Sequence, residues 1–485
     1  MKEGETIEEE IPDEECDPSA EKSDENEKEV KRRNNLFRLI SIGNATGQSF
    51  LFNFFSAFAV LVGVSSSILG FITSIRNLMG SLFQGIIGRL SDKYGRKYFL
   101  LLGFFLSFSI MIVLIFLNNP MMLIIISIVQ ATALSIIIPV WNATLGDVTK
   151  TEKRASFMGR LSAMGTAVSV SLMLALAGVF YIIEEYGGFN VHLKFRDLVI
   201  FVPVIEPRLQ YGIAFGVAAF NFILCFVGAL LLRETNKNGN QKKQPKMLLA
   251  LKDKRFTKFF IINSVFGLIM SLMWPIFPIA QVSVLGMNFP QIAIVNAVFS
   301  VFSSLGQFFG GKLGDRFGRK PFIIYGRAAM FVIPLVMIGA VYMGSWQMLL
   351  ISNIVGGSAM GAITVSMNAY ILDIAPEDQM GAYSGLQQVG WGVLTFIGSL
   401  SAGFIATAIT NNAPYAAEED RIRFMVIVMF SIIAILRFIA SIGYFFIEES
   451  LPKEAREALK LKKAEEAAPT HPVQYTPEDS QTQSK

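Results

Sequence analysis

One ten-residue segment occurs twice, in nearly the same form, in this chain of 485 residues. The first copy, GRLSDKYGRK, begins at Gly88, and the second, GKLGDRFGRK, begins at Gly311. Six of the ten positions are identical, and each copy lies between two long apolar runs. A charged loop repeated in this setting indicates the duplication of a membrane unit with several spans. The chain is therefore predicted to contain two homologous membrane halves.

The amino-acid composition indicates a protein that lies in a lipid bilayer rather than in water. Hydrophobic residues make up 52% of the chain and charged residues only 16%, which would leave a soluble protein with too much exposed apolar surface. A helix needs about 20 apolar residues to cross the hydrocarbon core. The sequence predicts an all-α integral membrane protein with twelve such spans, near residues 37–63, 66–89, 98–118, 121–145, 156–183, 210–232, 257–283, 289–313, 321–343, 346–372, 380–409 and 422–447.

Charge divides the chain into tails, a linker and two bundles. Residues 1–30 carry fourteen acidic and three basic side chains, so this segment is expected to be disordered. Basic residues cluster at the ends of alternate spans, which predicts that both termini are cytoplasmic. Alternating residue types within 184–209 indicate a small external hairpin. The predicted units are an acidic cytoplasmic tail (1–35), an N-terminal six-helix bundle (36–232), a cytoplasmic linker (233–256), a C-terminal six-helix bundle (257–450) and a cytoplasmic tail (451–485).

A second set of residues recurs in the same order in the two halves. Its members are Asn142, Ala143, Asp147 and Gly159, and then Asn368, Ala369, Asp373 and Gly385. With the repeated loop, these residues make the chain resemble the major facilitator superfamily of transporters across residues 36–450. The resemblance implies two six-helix bundles related by a pseudo-twofold axis around a central cavity. It also implies alternating access of that cavity to the two sides of a plasma membrane.

The repeated loop contains the residues expected to control access. Asp92 falls at the C-terminal end of its helix, where the helix dipole is unfavourable for a carboxylate, so it should serve another partner. The family resemblance implies that Asp92 faces the start of the eleventh helix near Pro376. It further implies that Arg96 pairs with Asp147 at the end of the fourth helix.

The second copy is expected to act in the same way. By the same resemblance, Asp315 faces the start of the fifth helix and Arg319 meets Asp373. These contacts would close the cytoplasmic side, and their loss would open it. The motif glycines are Gly88 and Gly311, expected to permit close helix approach, and Gly95 and Gly318, expected to permit the turn.

Several kinds of chemistry are not indicated by the sequence. No Asp or Glu lies inside a predicted span, and His192 and His471 lie outside the spans. Proton-driven carriers commonly use an intramembrane carboxylate or histidine, so diffusion down the substrate gradient or exchange is favoured over proton antiport. Cys16 and Cys225 support neither a disulfide framework nor a metal site. We expect no catalytic residues, cofactor or bound metal, no enzymatic activity and no nucleic-acid partner.

Arg76 is a charge that the repeat does not duplicate, because Phe299 occupies the equivalent position. Its distance from Gly88 along the helix, at about 1.5 Å per residue, puts it roughly 18 Å deep. An unpaired arginine at that depth is a functional hypothesis, and bonding to carbonyls and water is the structural alternative. Arg437 is interpreted as structural, and Arg327 as close enough to the membrane surface to snorkel.

The other predicted cavity residues are neutral. They are Asn44, Gln48, Trp141, Asn142, Trp274, Gln281 and Asn368, and the duplicated Asn142 and Asn368 have a scaffold role as the alternative. This set favours a monomeric exporter of small amphipathic or hydrophobic compounds, with the substrate and the lipid bilayer as its partners. Uniport or exchange of small organic anions through Arg76 is the alternative. A receptor of the same fold that does not transport is the second alternative.

Overall fold

A computed structural model describes residues 18–117, 119–148, 151–187, 189–193, 198–232, 234, 247–376 and 379–451. Twelve long helices dominate these residues. The first six are α1 (Pro18–Leu61), α2 (Ser66–Tyr94), α3 (Arg96–Phe116), α4 (Met122–Val148), α5 (Thr151–Glu185) and α6 (Pro207–Leu231). The second six are α7 (Lys254–Val284), α8 (Phe289–Phe317), α9 (Arg319–Met343), α10 (Met348–Ile374), α11 (Met380–Asn411) and α12 (Glu418–Phe446).

Ten of these helices, α3 to α12, are long and apolar enough to cross a membrane. The other two are less apolar because polar residues interrupt them, such as Gln48 and Asn53 in α1 and Arg76 and Asn77 in α2. Both pack lengthwise among the rest, α1 against α5 and α6, and α2 against α4 and α11. The predicted all-α membrane architecture, with α1–α6 and α7–α12 as its two bundles, is confirmed.

Helix α1 begins at Pro18, well before the start predicted near residue 37. Residues 18–35 are rich in glutamate and lysine, which have high helix propensity. They continue directly into an apolar helix, so no separate nucleation step is needed. The expectation of disorder therefore does not hold for the backbone of this part of the tail.

Two helices of the C-terminal bundle are broken. Helix α7 consists of Lys254–Ser271, a turn, the short segment Ile276–Ile279 and a π-helical turn over Ala280–Val284. Helix α9 is interrupted between Ala329 and Val332. Proline accounts for both breaks, because Pro275 and Pro334 cannot donate a backbone hydrogen bond to the preceding turn.

The loops distinguish the two ends of the molecule. The repeated loops turn at Gly95 and Gly318, between α2 and α3 and between α8 and α9, and we call this end the motif end. At the opposite end, between α5 and α6, strand β1 (Phe189–Leu193) pairs antiparallel with β2 (Leu198–Val202). The hairpin predicted within 184–209 is therefore present, and we call its side the hairpin end.

Candidate functional site

Each repeated loop turns at a glycine with a positive φ. The angle is +100° at Gly95 and +99° at Gly318, a region that other residues rarely adopt. A Cβ atom at Gly95 would stand 2.9 Å from a carboxylate oxygen of Glu234, and one at Gly318 would collide with Glu449. Glycine is thus required at both positions by the backbone conformation of the turn, and the neighbouring carboxylate would have to shift to admit a side chain.

These two carboxylates are functional candidates that the sequence analysis missed. Glu234 accepts hydrogen bonds from the first two backbone N–H groups of α3, at 3.0 and 3.1 Å. Glu449 does the same at the start of α9, at 2.8 and 3.1 Å. A carboxylate at a helix N-terminus complements the helix dipole. The sequence contains a signal that could have identified them, because an acidic residue follows both the sixth and the twelfth helix.

In the first half, Arg96 lies between Asp147, its expected partner, and Asp92, which was expected to face α11. Its Nη1 contacts Oδ2 of Asp147, and its Nη2 lies 3.1 Å from Oδ1 of Asp92, one helical turn earlier. The arginine therefore links the end of α2 to the end of α4. Its own side chain is only 12% exposed, so the link is partly shielded from solvent.

The second half repeats this arrangement. Arg319 Nη1 lies 2.8 Å from Oδ1 of Asp315, and its Nε lies 3.4 Å from Oδ2 of Asp373. The further contacts expected for Asp92, at the start of α11 near Pro376, and for Asp315, at the start of α5, stay predictions. They involve residues 377–378 and 149–156, whose side chains lie outside the described part of the chain.

Among the described residues, Gly88 has no close neighbouring helix in this conformation, and Gly311 has one ordinary contact with α10. No described atom lies within 4 Å of a Cβ placed at Gly88, and at Gly311 the nearest atom, Cγ1 of Val365, is at 3.4 Å. The two bundles instead approach each other nearer the hairpin end. There, a Cβ at Gly70 of α2 would stand 2.8 Å from the Cα of Gly403 in α11.

An aromatic cluster joins the bundles at the hairpin end. Phe289, at the start of α8, stacks on Phe54 of α1 with the ring centroids 4.4 Å apart. Its ring also lies edge-on to Phe180 and Tyr211, at 5.2 and 5.3 Å. All three partners belong to the N-terminal bundle. Because Phe54 and Phe289 are fully buried, this cluster excludes water from the hairpin end.

Side-chain hydrogen bonds reinforce this closure. Four of them between described residues join the bundles, and all lie in the half of the molecule nearer the hairpin end. They connect Asn288 Nδ2 to Glu184 Oε2 (2.8 Å), Ser67 to Thr407 (2.6 Å) and to the Gly403 carbonyl (3.5 Å), and Asn296 Nδ2 to the Asn53 carbonyl (3.2 Å). The hairpin end is closed in this conformation.

A cavity of about 460 Å³ lies between the bundles beside this closure. Its size suits one small molecule. Three of the predicted pathway residues line it, namely Arg76, Trp274 and Gln281. Aromatic and methionine side chains form much of the wall, including Phe52, Met270, Met273, Trp274, Phe277 and Phe299. The cavity is therefore apolar with a few polar groups.

Arg76 lies where this central cavity meets a second cavity of about 220 Å³. Phe52, Arg76 and Asn77 line both cavities. The guanidinium carbon of Arg76 is 5.1 Å from the ring centre of Phe52 and 5.4 Å from that of Phe55. Within the described residues, it has no hydrogen bond and no ion pair. The cation is thus held by aromatic faces alone.

The remaining predicted pathway residues line neither of these two cavities, and their place in the pathway stays a prediction. They are Asn44, Gln48, Trp141, Asn142 and Asn368. Trp141 is buried, with its ring 5.9 Å from that of Phe37. Asn44 and Gln48 bond to each other at 2.8 Å.

The asparagines and the glutamine nevertheless lie on helix faces that line a cavity. They occur one or two turns nearer the motif end than the lining residues Phe52 of α1, Ile138 of α4 and Met360 of α10. Helical periodicity identifies the face of a helix but carries no information about depth along it. These residues therefore share faces with the cavity lining and lie nearer the motif end than the two described cavities.

The contacts of Arg437 agree with the structural role predicted for it from the sequence. It is 2% exposed, and its Nη1 and Nη2 donate to the carbonyls of Met330 and Met270, at 3.1 and 3.0 Å. The Met330 carbonyl lacks its usual helical partner because Pro334 has no N–H. Arg437 therefore bridges the breaks in α9 and α7.

Arg327 does not snorkel, contrary to the sequence interpretation. It is 3% exposed and donates from Nη2 to Asn263 at 3.0 Å, inside the C-terminal bundle. Its guanidinium also lies over the ring of Phe266, 4.6 Å from the centre. An amide oxygen and aromatic faces compensate the cation internally, so the side chain has no need to reach the surface.

No cluster of three or more His, Cys, Asp or Glu side chains that could hold a metal ion occurs among the described residues.

The sequence profile of the Major Facilitator Superfamily matches residues 39–272 and 259–475. Quinolone resistance protein NorA of Staphylococcus aureus (strain MSSA476) is 22% identical over 344 residues, which cover 70% of this chain and 81% of that protein. Multidrug resistance protein 3 of Bacillus subtilis (strain 168) is 29% identical over 158 residues, 32% of this chain and 30% of that protein.

Solved structures show the same fold at low sequence identity. The crystal structure of a mutant of the nucleoside transporter NupG aligns with a TM-score of 0.67 and 12% identity, covering 86% of this chain and 99% of that chain. An inward-facing, unoccupied bacterial homologue of the human lysosomal transporter Spinster aligns with a TM-score of 0.60 and 16% identity, covering 86% and 97%.

Proposed function

Because this chain belongs to the major facilitator superfamily and is a membrane transporter rather than an enzyme, we propose that it exports small amphipathic compounds. The observation that carries this proposal is the cavity between the bundles, with its aromatic and methionine walls. Flexible thioethers and aromatic faces accommodate apolar bodies of different shapes. The names of two relatives, a quinolone resistance protein and a multidrug resistance protein, support export of such compounds.

The two repeated clusters act as the gate at the motif end. Arg96 with Asp92 and Asp147 holds one side of it, and the equivalent cluster around Arg319 holds the other. The bundles, residues 36–232 and 257–450, rock as units, so the hairpin end opens as the motif end closes. The present conformation is the one with the hairpin end shut.

We place the motif end and both termini in the cytoplasm and the protein in the plasma membrane. The basic residues around the repeated loops support this orientation. In this arrangement the closed hairpin end faces outward, so a compound enters from the cytoplasm and leaves through the hairpin end. A single chain surrounds the cavity, which supports a monomer as the transport unit.

Reconstituted transport tests the proposal. Purified protein in proteoliposomes should move at least one of three fluorescent amphipaths, the neutral N-phenyl-1-naphthylamine, the anionic 8-anilino-1-naphthalenesulfonate or the cationic ethidium. Asp147→Asn should slow that flux, and protein-free liposomes supply the background. If folded wild-type protein binds a dye but moves none of the three, the export proposal fails in favour of a receptor without flux.

A further inference from the structure

Arg76, at the centre of the molecule, has no acidic partner among the described residues. None of the described residues that line either cavity is Asp or Glu. The phenyl rings of Phe52 and Phe55 cover part of its guanidinium, but a ring face supplies no conventional hydrogen-bond acceptor. Five guanidinium N–H groups therefore remain without an acceptor among the described residues. A bare cation at this depth needs a partner.

The other cation of the central cavity cannot play the same part. Both terminal nitrogens of Arg437 already donate to the carbonyls of Met330 and Met270. A ligand that bound Arg437 would have to displace these contacts and expose two broken helix ends. Of the two arginines in the lining, Arg76 is thus the one whose donors are available.

Two further donors in the same cavity have no acceptor. The amide nitrogens of Asn77, the neighbour of Arg76, and of Gln281, in the π-helical turn of α7, are buried without a hydrogen-bond partner in the described structure. Gln281 as a whole is only 4% exposed. A buried donor without an acceptor is costly. Three unsatisfied donor groups around one space favour a ligand that supplies acceptor oxygens.

The Arg76 and Asn77 donors and the methionine and aromatic residues of α7 come from different bundles. Arg76 and Asn77 belong to α2, whereas Met273, Trp274 and Phe277 belong to α7. A ligand with an anionic head and an apolar body would satisfy both at once. Guanidinium binds a carboxylate, sulfonate or phosphate group through two parallel hydrogen bonds. The ligand would then connect the two bundles, which must move relative to each other during transport.

We propose that the preferred substrates are amphipathic organic monoanions. The anionic head binds Arg76 and Asn77, and the apolar body lies against the methionine and aromatic residues of α7. This inference rests on the proposed export function and names its substrate class. Within it, Arg76 is the residue that selects anions over neutral compounds of the same shape.

Two dyes that differ only in charge test this selection. 8-Anilino-1-naphthalenesulfonate is N-phenyl-1-naphthylamine with an added sulfonate, and both become fluorescent in apolar sites. Arg76→Gln should weaken binding of the sulfonate about 30-fold, in the range expected for hydrogen bonds to a charged group, and change binding of the neutral dye less than about twofold. Arg76→Lys should give a smaller loss, because lysine keeps the charge without the two-bond geometry.

Arg160→Gln is the matched control, because it removes an exposed arginine of α5 outside both cavities and should bind both dyes normally. If Arg76→Gln does not fold, Arg76→Lys and Asn77→Ala carry the test with the same pair of dyes. Unchanged sulfonate binding in the folded variants would overturn the inference, and so would equal weakening of both dyes.

The anion could also come from a membrane lipid, and competition separates the two sources. Octanesulfonate should displace the bound dye, whereas dioleoyl phosphatidylglycerol should not. Displacement by the lipid alone would assign Arg76 to a lipid headgroup and defeat the substrate proposal. Failure of the inference is distinct from failure of the export function, because protein-dependent flux of the neutral dye or of ethidium would persist in that case.

Discussion

Glu184, at the hairpin end of α5, accepts a hydrogen bond of 2.8 Å from the side-chain amide of Asn288, the residue that caps the start of α8. The other carboxylate oxygen of Glu184 accepts from Gln210 of α6 at 2.7 Å. The carboxylate therefore ties the N-terminal bundle to the C-terminal bundle beside the aromatic cluster. A bond to a charged group in this position stabilises the conformation with the hairpin end closed.

Loss of this bond should open the hairpin end. A hydrogen bond to a charged group contributes about 1.5–3 kcal/mol, and 1.4 kcal/mol is a factor of about ten in population. In a variant with Ser56→Cys in the cavity wall and the native cysteines replaced, Glu184→Ala should raise labelling by an impermeant maleimide from the hairpin side about tenfold. Glu185→Ala, the adjacent exposed carboxylate, should leave the rate unchanged. Equal rates in the two variants would remove Glu184 from the closure.

Substitution of Gly95 or Gly318 should destabilise the protein because of the backbone conformation at these two turns. A non-glycine residue at this φ costs about 1–3 kcal/mol, so Gly95→Ala and Gly318→Ala should each lower the melting temperature by several degrees. Gly178→Ala is the control, since it lies within α5 with no described atom near its Cβ position, and it should be neutral or slightly stabilising. A fall in melting temperature as large at Gly178 as at the turns would contradict this explanation.

The two carboxylates beside those turns should act independently. Glu234→Ala and Glu449→Ala each remove the side-chain acceptor from the start of one helix, which costs about 0.5–2 kcal/mol. Because the helices that they cap, α3 and α9, lie in different bundles, the loss in the double variant should be the sum of the two single losses. Thermal unfolding of the three variants measures this, and a strongly non-additive result would mean that the two ends are coupled.

Arg437 should affect stability rather than ligand binding. Arg437→Met leaves the Met330 carbonyl without a donor and removes the side-chain donor of the Met270 carbonyl, and an unsatisfied buried group costs about 1–3 kcal/mol. The melting temperature should fall markedly while affinity for a bound dye is retained in the folded fraction. Arg160→Met, at an exposed site, provides the comparison. Lost affinity without lost stability would reverse this interpretation.

Transport should not require a proton gradient. No Asp or Glu is present among the described residues that line the two cavities, where an intramembrane proton acceptor would be expected. Flux of a dye in proteoliposomes should therefore continue when the internal and external pH are equal. Complete dependence on an imposed pH difference would contradict this expectation.

Features encoded locally in the sequence were predictable, whereas those that depend on tertiary contacts were not. The lengths of the apolar runs predicted the spans, and the duplicated loop predicted glycine turns at Gly95 and Gly318. The depth of Arg437 in its span indicated a charge that needs partners inside the protein. Glu184 lies just past the predicted end of the fifth span and could not be identified from the sequence. Its role depends on Asn288, which is distant in the sequence. The interior position of Arg327 likewise depends on Asn263 and Phe266, which lie on another helix.

Alternating access is the central claim, and Ser67 with Thr407 offers the most direct test of it. Their hydroxyl oxygens, one from each bundle, are 2.6 Å apart at the hairpin end, so Ser67→Cys with Thr407→Cys should form a disulfide that holds this end shut. In a background with Cys16 and Cys225 replaced, dye flux in proteoliposomes should stop on oxidation and return on reduction, with both single-cysteine variants insensitive. Undiminished flux through the crosslinked protein would contradict alternating access.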